Sequence, residues 1–386
     1  MNKLPANACA YPFKAKMMMH GTPATPCCRF HDRFLSDADK NSDTLFTDIK
    51  ASMMRNEWHP GCYKCKSDEE IIGNSMRTEA DEFFDNFTNS EQLEYLEITV
   101  GRLCNLACIS CGLEFSHKWD EDSIALDLSN LDKLDHYKKH QEIDIDGIDL
   151  DNFRYLKFLK VTGGEPFLHR QFLNLIIRLA DSGLAEQIEI EIFTNSTWYP
   201  KKVDMSALLK FKKVIITASI DAHGKVNDVV RYPAKWNLIE TTLDKWLELR
   251  INNDKVEVMI ACTVSVLNAP DLFDFMLWAR IEKRVPVILQ TVQEPNYLSI
   301  QQWPAWFKRG LKYTIDQQFG IDTVSLPAIR LNKAHKLLTK LTNHISDTGT
   351  DNSELFLAEM KRLFDHRGHT LADVQRFNRI LETFKP

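Results

Sequence analysis

The chain has 386 residues, 48 Lys+Arg against 54 Asp+Glu, and a formal net charge of −6. At roughly 150 residues per domain this leaves room for two or three compact units. Its 44% hydrophobic and 26% charged residues exclude a disordered chain or a fibrous repeat, and the net charge has the wrong sign for a protein that binds nucleic-acid polymers by bulk charge.

No apolar run approaches the ~18 residues of a membrane span, and the N-terminus lacks the apolar core of a secretory signal. This reading places the chain in the cytoplasm, where thiols stay reduced. Nine cysteines in that setting point to metal or catalysis rather than to a disulfide frame, and eight of them fall within the first 111 residues.

Residues 1–92 are expected to form a cysteine-rich domain. Cys9 leads into a predicted strand over 14–20, and Gly21-Thr-Pro-Ala-Thr-Pro-Cys27-Cys28 reads as a turn and a return strand. Gly61-Cys62-Tyr-Lys-Cys65 is a C-x2-C corner. Cys9, Cys27, Cys62 and Cys65 make a complete four-thiolate set, with Cys28 as an alternate or a bystander. Such pairs hold iron–sulfur clusters and structural zinc alike, and both readings stand. A helix-like stretch over 67–77 follows, in which Arg77 reads as a solvated surface residue, with pairing to a carboxylate as the alternative.

Residues 93–100, Leu-Glu-Tyr-Leu-Glu-Ile-Thr-Val, alternate well enough and are β-branched enough for a strand. Directly behind comes Cys104-Asn-Leu-Ala-Cys108-Ile-Ser-Cys111. Three thiolates on one short loop can hold three corners of a cubane cluster and leave the fourth iron open to a small molecule. Zinc sites usually add a second cysteine pair, so the spacing favours iron–sulfur.

Further strands are predicted at 156–162, 188–194, 214–220, 256–266 and 285–292, with helices at 168–182, 236–252 and 271–283. Such alternation builds a parallel sheet that binds ligands at the carboxyl ends of its strands. Those ends are distinctive. The second carries Thr162-Gly163-Gly164-Glu165-Pro166, in which glycines permit close backbone approach and Pro166 opens a helix; a plain tight turn with a helix-start Glu is the bland alternative. The third ends in Thr194-Asn195-Ser196, and the fourth in Ser219-Ile-Asp221, with Arg231 ten residues beyond Asp221. Cys262 sits in an apolar run and reads as a buried core thiol.

After residue 292, amphipathic helices are predicted over 303–318, 334–345, 353–366 and 371–384, with breaks at Pro304, Gly320, Gly349 and Gly368. They read as packing elements, with a docking face for a peptide or protein as the alternative. Residues 296–300 are placed to line a substrate cavity.

The strand followed by the cysteine loop resembles the signature of the radical S-adenosylmethionine (SAM) enzymes. That resemblance implies a partial (β/α)6 TIM-like barrel over 93–292, a helical C-terminal region over 293–386, and a [4Fe–4S] cluster on Cys104, Cys108 and Cys111. It also implies that SAM chelates the open iron and that one electron from the cluster yields a 5′-deoxyadenosyl radical, which abstracts hydrogen from substrate. Gly163, Gly164 and Glu165 are similar to the family's GGEP motif for the SAM amino group. Thr194 and Asn195 are similar to its TNG strand end. Ser219 and Arg231 match its ribose and carboxylate contacts, and Asp221 takes a ribose hydroxyl or caps the next helix. One departure is Ser110, where the family usually has an aromatic residue.

The N-terminal hairpin resembles the SPASM and twitch auxiliary-cluster modules, here placed before the barrel, and implies a second [4Fe–4S] cluster. The family implies an electron donor such as flavodoxin or ferredoxin, and a peptide side chain or a small molecule such as a nucleoside or sugar as substrate. A non-catalytic iron–sulfur scaffold is the rival from another class. It would require decay that spared the cysteines, the GGEP run and the Ser/Arg pair together.

Overall fold

The computed structural model describes residues 5, 7–30, 42–72, 75–84, 92–127, 133–292, 294–322 and 353–385. The predicted helix at 334–345 and the break at Gly349 lie outside them.

Seven strands form one sheet in sequence order: β1 (Ala15–Met19), β2 (Tyr95–Thr99), β3 (Phe158–Thr162), β4 (Glu189–Thr194), β5 (Lys213–Ser219), β6 (Val256–Val264) and β7 (Val287–Thr291). The pairs β1–β2, β2–β3, β3–β4 and β6–β7 are parallel. Parallel neighbours need a crossover, and helices supply it, among them Arg170–Asp181 before β4 and Trp236–Asn252 before β6. The fold class is the α/β one expected, and each of the six strands predicted over 93–292 is found, as is the one predicted over 14–20.

The seventh strand corrects the reading of the N-terminus. The strand over 14–20 was expected to pair with a return strand within 21–28, as a hairpin. Instead β1 pairs in parallel with β2, Met17 opposite Glu97, and the expected return strand is reduced to a single antiparallel bridge from Met17 to Thr25. Alternation identifies a strand but says nothing of which neighbour it pairs with.

By packing, the chain divides into two compact units. The first comprises Met1–Gly101, His136–Ile192 and Pro200–Val214. In it Tyr11 meets Phe84 and Tyr95 edge-on at 5.4 and 5.6 Å, and Tyr95 stacks on Phe158 at 5.4 Å. Leu159, Val161, Ile190 and Ile192 bury one face of β3 and β4 completely. Beyond the Tyr95–Phe158 stack the other face turns polar: Lys160 pairs with the buried Glu97 at 3.2 Å, and one repeat further along Thr99 and Thr162 share a hydrogen bond of 3.0 Å. The helix Arg170–Asp181 buries Phe172, Leu175, Ile176 and Leu179, the one-sided spacing of an amphipathic helix.

The second unit comprises Arg102–Asp135, Phe193–Tyr199 and Ile215–Pro386. Its C-terminal helices Ala305–Asp322, Ser353–Arg367 and Gln375–Phe384 join around Trp303, whose ring lies 4.4, 4.9 and 5.6 Å from those of Phe307, Phe356 and Phe377. The helix Ala305–Asp322 runs through Gly320, which does not break it as expected. Leu298, Ser299 and Ile300, from the segment assigned to a substrate cavity, are buried. Among the described residues no helix is long and apolar enough to cross a membrane.

Candidate functional site

The cysteine loop is shaped by its backbone. Ala107 and Ile109 donate through N–H to the carbonyls of Tyr232 and Val230 at 2.6 and 2.8 Å, while Cys111 N–H closes a turn onto Cys108 O at 3.0 Å. Trp119 Nε1 donates to the same Cys108 carbonyl at 3.0 Å. Arg102, fully buried, folds back the chain behind the loop: it donates to Leu113 O at 2.8 Å and to Ser116 O at 3.3 Å, and pairs with Asp120. Cys104 and Cys108 are buried and Cys111 is half-buried.

Because Val230 and Tyr232 hold the loop, Arg231 between them is fixed beside it. Its Nη1 donates to Asp221 Oδ2 at 2.8 Å, while its Nε is buried without a hydrogen-bond partner. Asp221 also accepts from Thr263 N–H at 2.8 Å. Of the two roles left open for Asp221, helix capping is not the one seen: its own N–H donates to Asn227 Oδ1 at 3.1 Å, and the next helix has Gly224 as its N-cap. Cys262 is fully buried and donates to Asp221 O at 3.5 Å, as a core thiol. Ser219 ends β5 half-buried.

Thr194 and Asn195 are buried, and Asn195 is tied directly to the loop. Its Nδ2 donates to Asn105 Oδ1 at 2.9 Å and approaches Cys104 Sγ at 3.8 Å, and its Oδ1 accepts from Thr197 N–H and Oγ1 at 2.9 and 2.6 Å. Asn105 Nδ2 completes the ring by donating to Thr197 Oγ1 at 2.8 Å. Asn105 and Thr197 were not singled out in the sequence, although each adjoins a residue or motif that was. Ser196 takes φ +58°, the left-handed region, where the family pattern has glycine.

In the first unit, the glycine turn after β3 packs backbone on backbone. Gly163 has φ +124°. A Cβ there would stand 2.9 Å from Gly101 O and 3.0 Å from Val100 N, and Gly164 N–H donates to Gly101 O at 2.7 Å. Gly163 is thus required by the neighbouring strand end, whatever else the turn binds. Glu165 is fully buried, and its Oε1 accepts from Phe167 N–H at 3.3 Å, capping the turn Pro166–Leu168.

Electrostatics suit a cationic centre at the loop. Burial pushes the Cys108 thiol up, with Arg231 acting against it. Burial raises Cys111 strongly, and Cys108 and Cys104 add to the rise. Burial opposes the charge of Arg231, but Cys108 and Asp221 outweigh it and hold the guanidinium charged. Cys108 and Cys111, two crowded thiols that resist ionisation, are the kind of group whose thiolates a nearby positive centre stabilises.

The N-terminal cysteines also come together. Cys9, Cys27, Cys62 and Cys65 line one cavity with Arg77, whereas Cys28 does not. Cys28 is exposed, and its electrostatic neighbours include Glu97 and Lys160. Burial raises Cys9 to about 12, with Cys62 and Cys65 contributing; Cys62 reaches about 12 through burial and Cys65. The four thiols of the expected set thus share one cavity. Arg77 departs from its expected solvated state: it grips Glu69 through two nitrogens at 2.7 and 2.6 Å, donates to Ala8 O at 3.1 Å and lies over the Trp58 ring. Ser75 caps the helix Met76–Phe83 and so fixes the point from which Arg77 reaches. Among the described residues no three Cys, His, Asp or Glu side chains are grouped as ligands of a single metal ion.

No protein-family model matches the sequence. GTP 3′,8-cyclase of Desulforamulus reducens is 23% identical over 211 residues, which is 54% of this chain and 57% of that protein; the chain thus spans little more than half the length of this relative. Among solved structures, native anSMEcpe with bound AdoMet is 15% identical at a TM-score of 0.40, covering 60% of this chain and 61% of that one. SuiB of Streptococcus suis bound to S-adenosylmethionine is 16% identical at a TM-score of 0.34, covering 75% and 53%.

Proposed function

We propose that this chain, a relative of the radical SAM enzymes, cleaves S-adenosylmethionine reductively at a [4Fe–4S] cluster held by Cys104, Cys108 and Cys111. The chemistry these groups supply when bound is one-electron cleavage of a sulfonium, followed by hydrogen abstraction from a substrate. The observation that carries the reading is the pair of hydrogen bonds from the loop to Val230 O and Tyr232 O, which build the three thiols and Arg231 into one rigid piece.

The division of labour follows from the residues. Arg231 receives the SAM carboxylate through its unpartnered Nε, and Asp221 keeps the guanidinium oriented. Gly163, Gly164 and Glu165 take the amino group, and Ser219 the ribose. Thr194 and Asn195 brace the loop, and the Asn195 amide beside Cys104 Sγ tempers charge on that sulfur. Burial of the loop keeps water from the reacting atoms.

Cys9, Cys27, Cys62 and Cys65 hold an auxiliary [4Fe–4S] cluster within residues 1–92, ahead of a barrel over 93–292 and a helical region over 293–386. The enzyme works in the cytoplasm and takes its electron from a flavodoxin or ferredoxin. A peptide or protein side chain is the substrate class, by analogy with auxiliary-cluster relatives. A small molecule such as a nucleoside is the second reading, favoured by the similarity to GTP 3′,8-cyclase.

Anaerobically reconstituted protein is expected to hold about eight irons and to release 5′-deoxyadenosine from SAM under reductant. Alanine at Cys104, Cys108 and Cys111 together is expected to leave about four irons and no 5′-deoxyadenosine. Continued release by that triple variant refutes the assignment.

A further inference from the structure

The last residue of the helix Ser353–Arg367 reaches the residues that hold the cysteine loop. The Arg367 side chain is 1% exposed. Its Nε and Nη2 donate to Asp122 Oδ2 at 3.2 and 2.6 Å. Its guanidinium lies 4.7 Å from the centre of the Trp119 ring and 4.8 Å from that of Tyr232. Both rings belong to residues that hold the loop, Trp119 through Cys108 O and Tyr232 through Ala107 N–H. The remaining nitrogen, Nη1, is buried without a hydrogen-bond partner.

A cation is costly to bury, and an arginine used only for packing would keep its head in water. Here one edge is held by a carboxylate and the faces by two rings, while one donor is left unspent. Those contacts fix both the position and the charge of the guanidinium.

We propose that Arg367 is a positioning residue for the cluster on Cys104, Cys108 and Cys111, clamping the loop and favouring the reduced cluster by its fixed charge. The inference rests on the function proposed above. Three thiolates concentrate negative charge in a buried loop, and reduction adds one more electron. A cation fixed nearby stabilises the state with more negative charge, because low-dielectric surroundings screen it weakly. Arg231 is built into the loop's own support, whereas Arg367 arrives from the C-terminal helices and gives them a part in the chemistry.

The test is a redox titration of the reconstituted full-length protein and its Arg367→Met and Arg367→Lys variants. It follows the paramagnetic cluster signal that changes when SAM is added. Arg367→Met is expected to keep the iron content and lower the reduced-to-oxidised ratio at fixed poise by about tenfold, or 59 mV for one electron. Arg367→Lys, which keeps the charge, is expected to recover at least half of that shift. An unchanged potential in Arg367→Met overturns the proposal. So does loss of iron from both variants with the surviving signal at the wild-type potential, which marks a purely structural role. A wild-type protein with no SAM-responsive cluster refutes the proposed function itself, and the inference falls with it.

Discussion

The two groups of cysteines in this chain are assembled in different ways. Cys104, Cys108 and Cys111 share one eight-residue stretch, and that stretch is held by backbone hydrogen bonds to Val230 and Tyr232, by the Trp119 indole and by the Asn105–Asn195–Thr197 ring. Cys9, Cys27, Cys62 and Cys65 come from three separate segments, joined by their common cavity and by Arg77 reaching back to Glu69 and Ala8. The first is shaped by the polypeptide itself. The second is closed by side chains, and a metal centre would contribute more of its folding energy. A pre-shaped loop is what a site needs when one corner of its cluster must stay open to a ligand; a closed four-thiolate set has no such requirement.

The contrast can be broken by mutation. The largest effect is expected at the N-terminal set: Cys62→Ala should cost its cluster outright and lower the melting temperature, whereas Cys28→Ala should leave iron content unchanged. Iron counting and thermal unfolding check both, and loss of iron in Cys28→Ala would return that residue to the ligand set. Next, iron removal by a chelator should expose residues 7–30 and 42–72 to protease well before the loop at 104–111, because a thiolate centre would tie the three N-terminal segments together, whereas backbone hydrogen bonds hold the loop; equal exposure would erase the distinction.

Arg231→Ala is expected to weaken SAM binding by ten- to a hundredfold, the ~1.5–3 kcal/mol of a charge-assisted hydrogen bond, with little loss of iron. Calorimetry with SAM and iron analysis separate the two, and equal losses would make Arg231 structural. The smallest effect belongs to Ser196→Gly, which relieves a left-handed backbone and removes a buried hydroxyl without a partner. It should stabilise the protein by up to ~1 kcal/mol in denaturant unfolding and leave SAM cleavage intact.

Much of this was legible in the sequence because it is local. Strand positions follow from alternation, and the cysteine loop, glycine turn and strand ends are each contiguous runs. What escaped is long-range. Nothing near Arg367 announces Asp122, 245 residues away, and nothing near Asn105 announces Thr197, 92 residues away. For Arg77 the preferred solvated reading gave way to its alternative, a carboxylate partner: Glu69, Ala8 and Trp58 close over it, and the sequence did not say which carboxylate would. The second partner of β1 was missed for a related reason: the turn residues announced the hairpin, of which the Met17–Thr25 bridge is what forms, while a parallel neighbour is chosen by tertiary packing. Asp221 offered two local roles, and the arginine ten residues on took its carboxylate.

The central claim, a loop cluster with one iron open to SAM, is tested most directly by electron–nuclear resonance on the reduced protein with SAM labelled at its amino nitrogen and carboxylate carbon. The account predicts magnetic coupling of both labels to a cluster that disappears when Cys104, Cys108 and Cys111 are replaced. A reduced loop cluster that shows no coupling to either label, or zinc bound by those three cysteines, would contradict it.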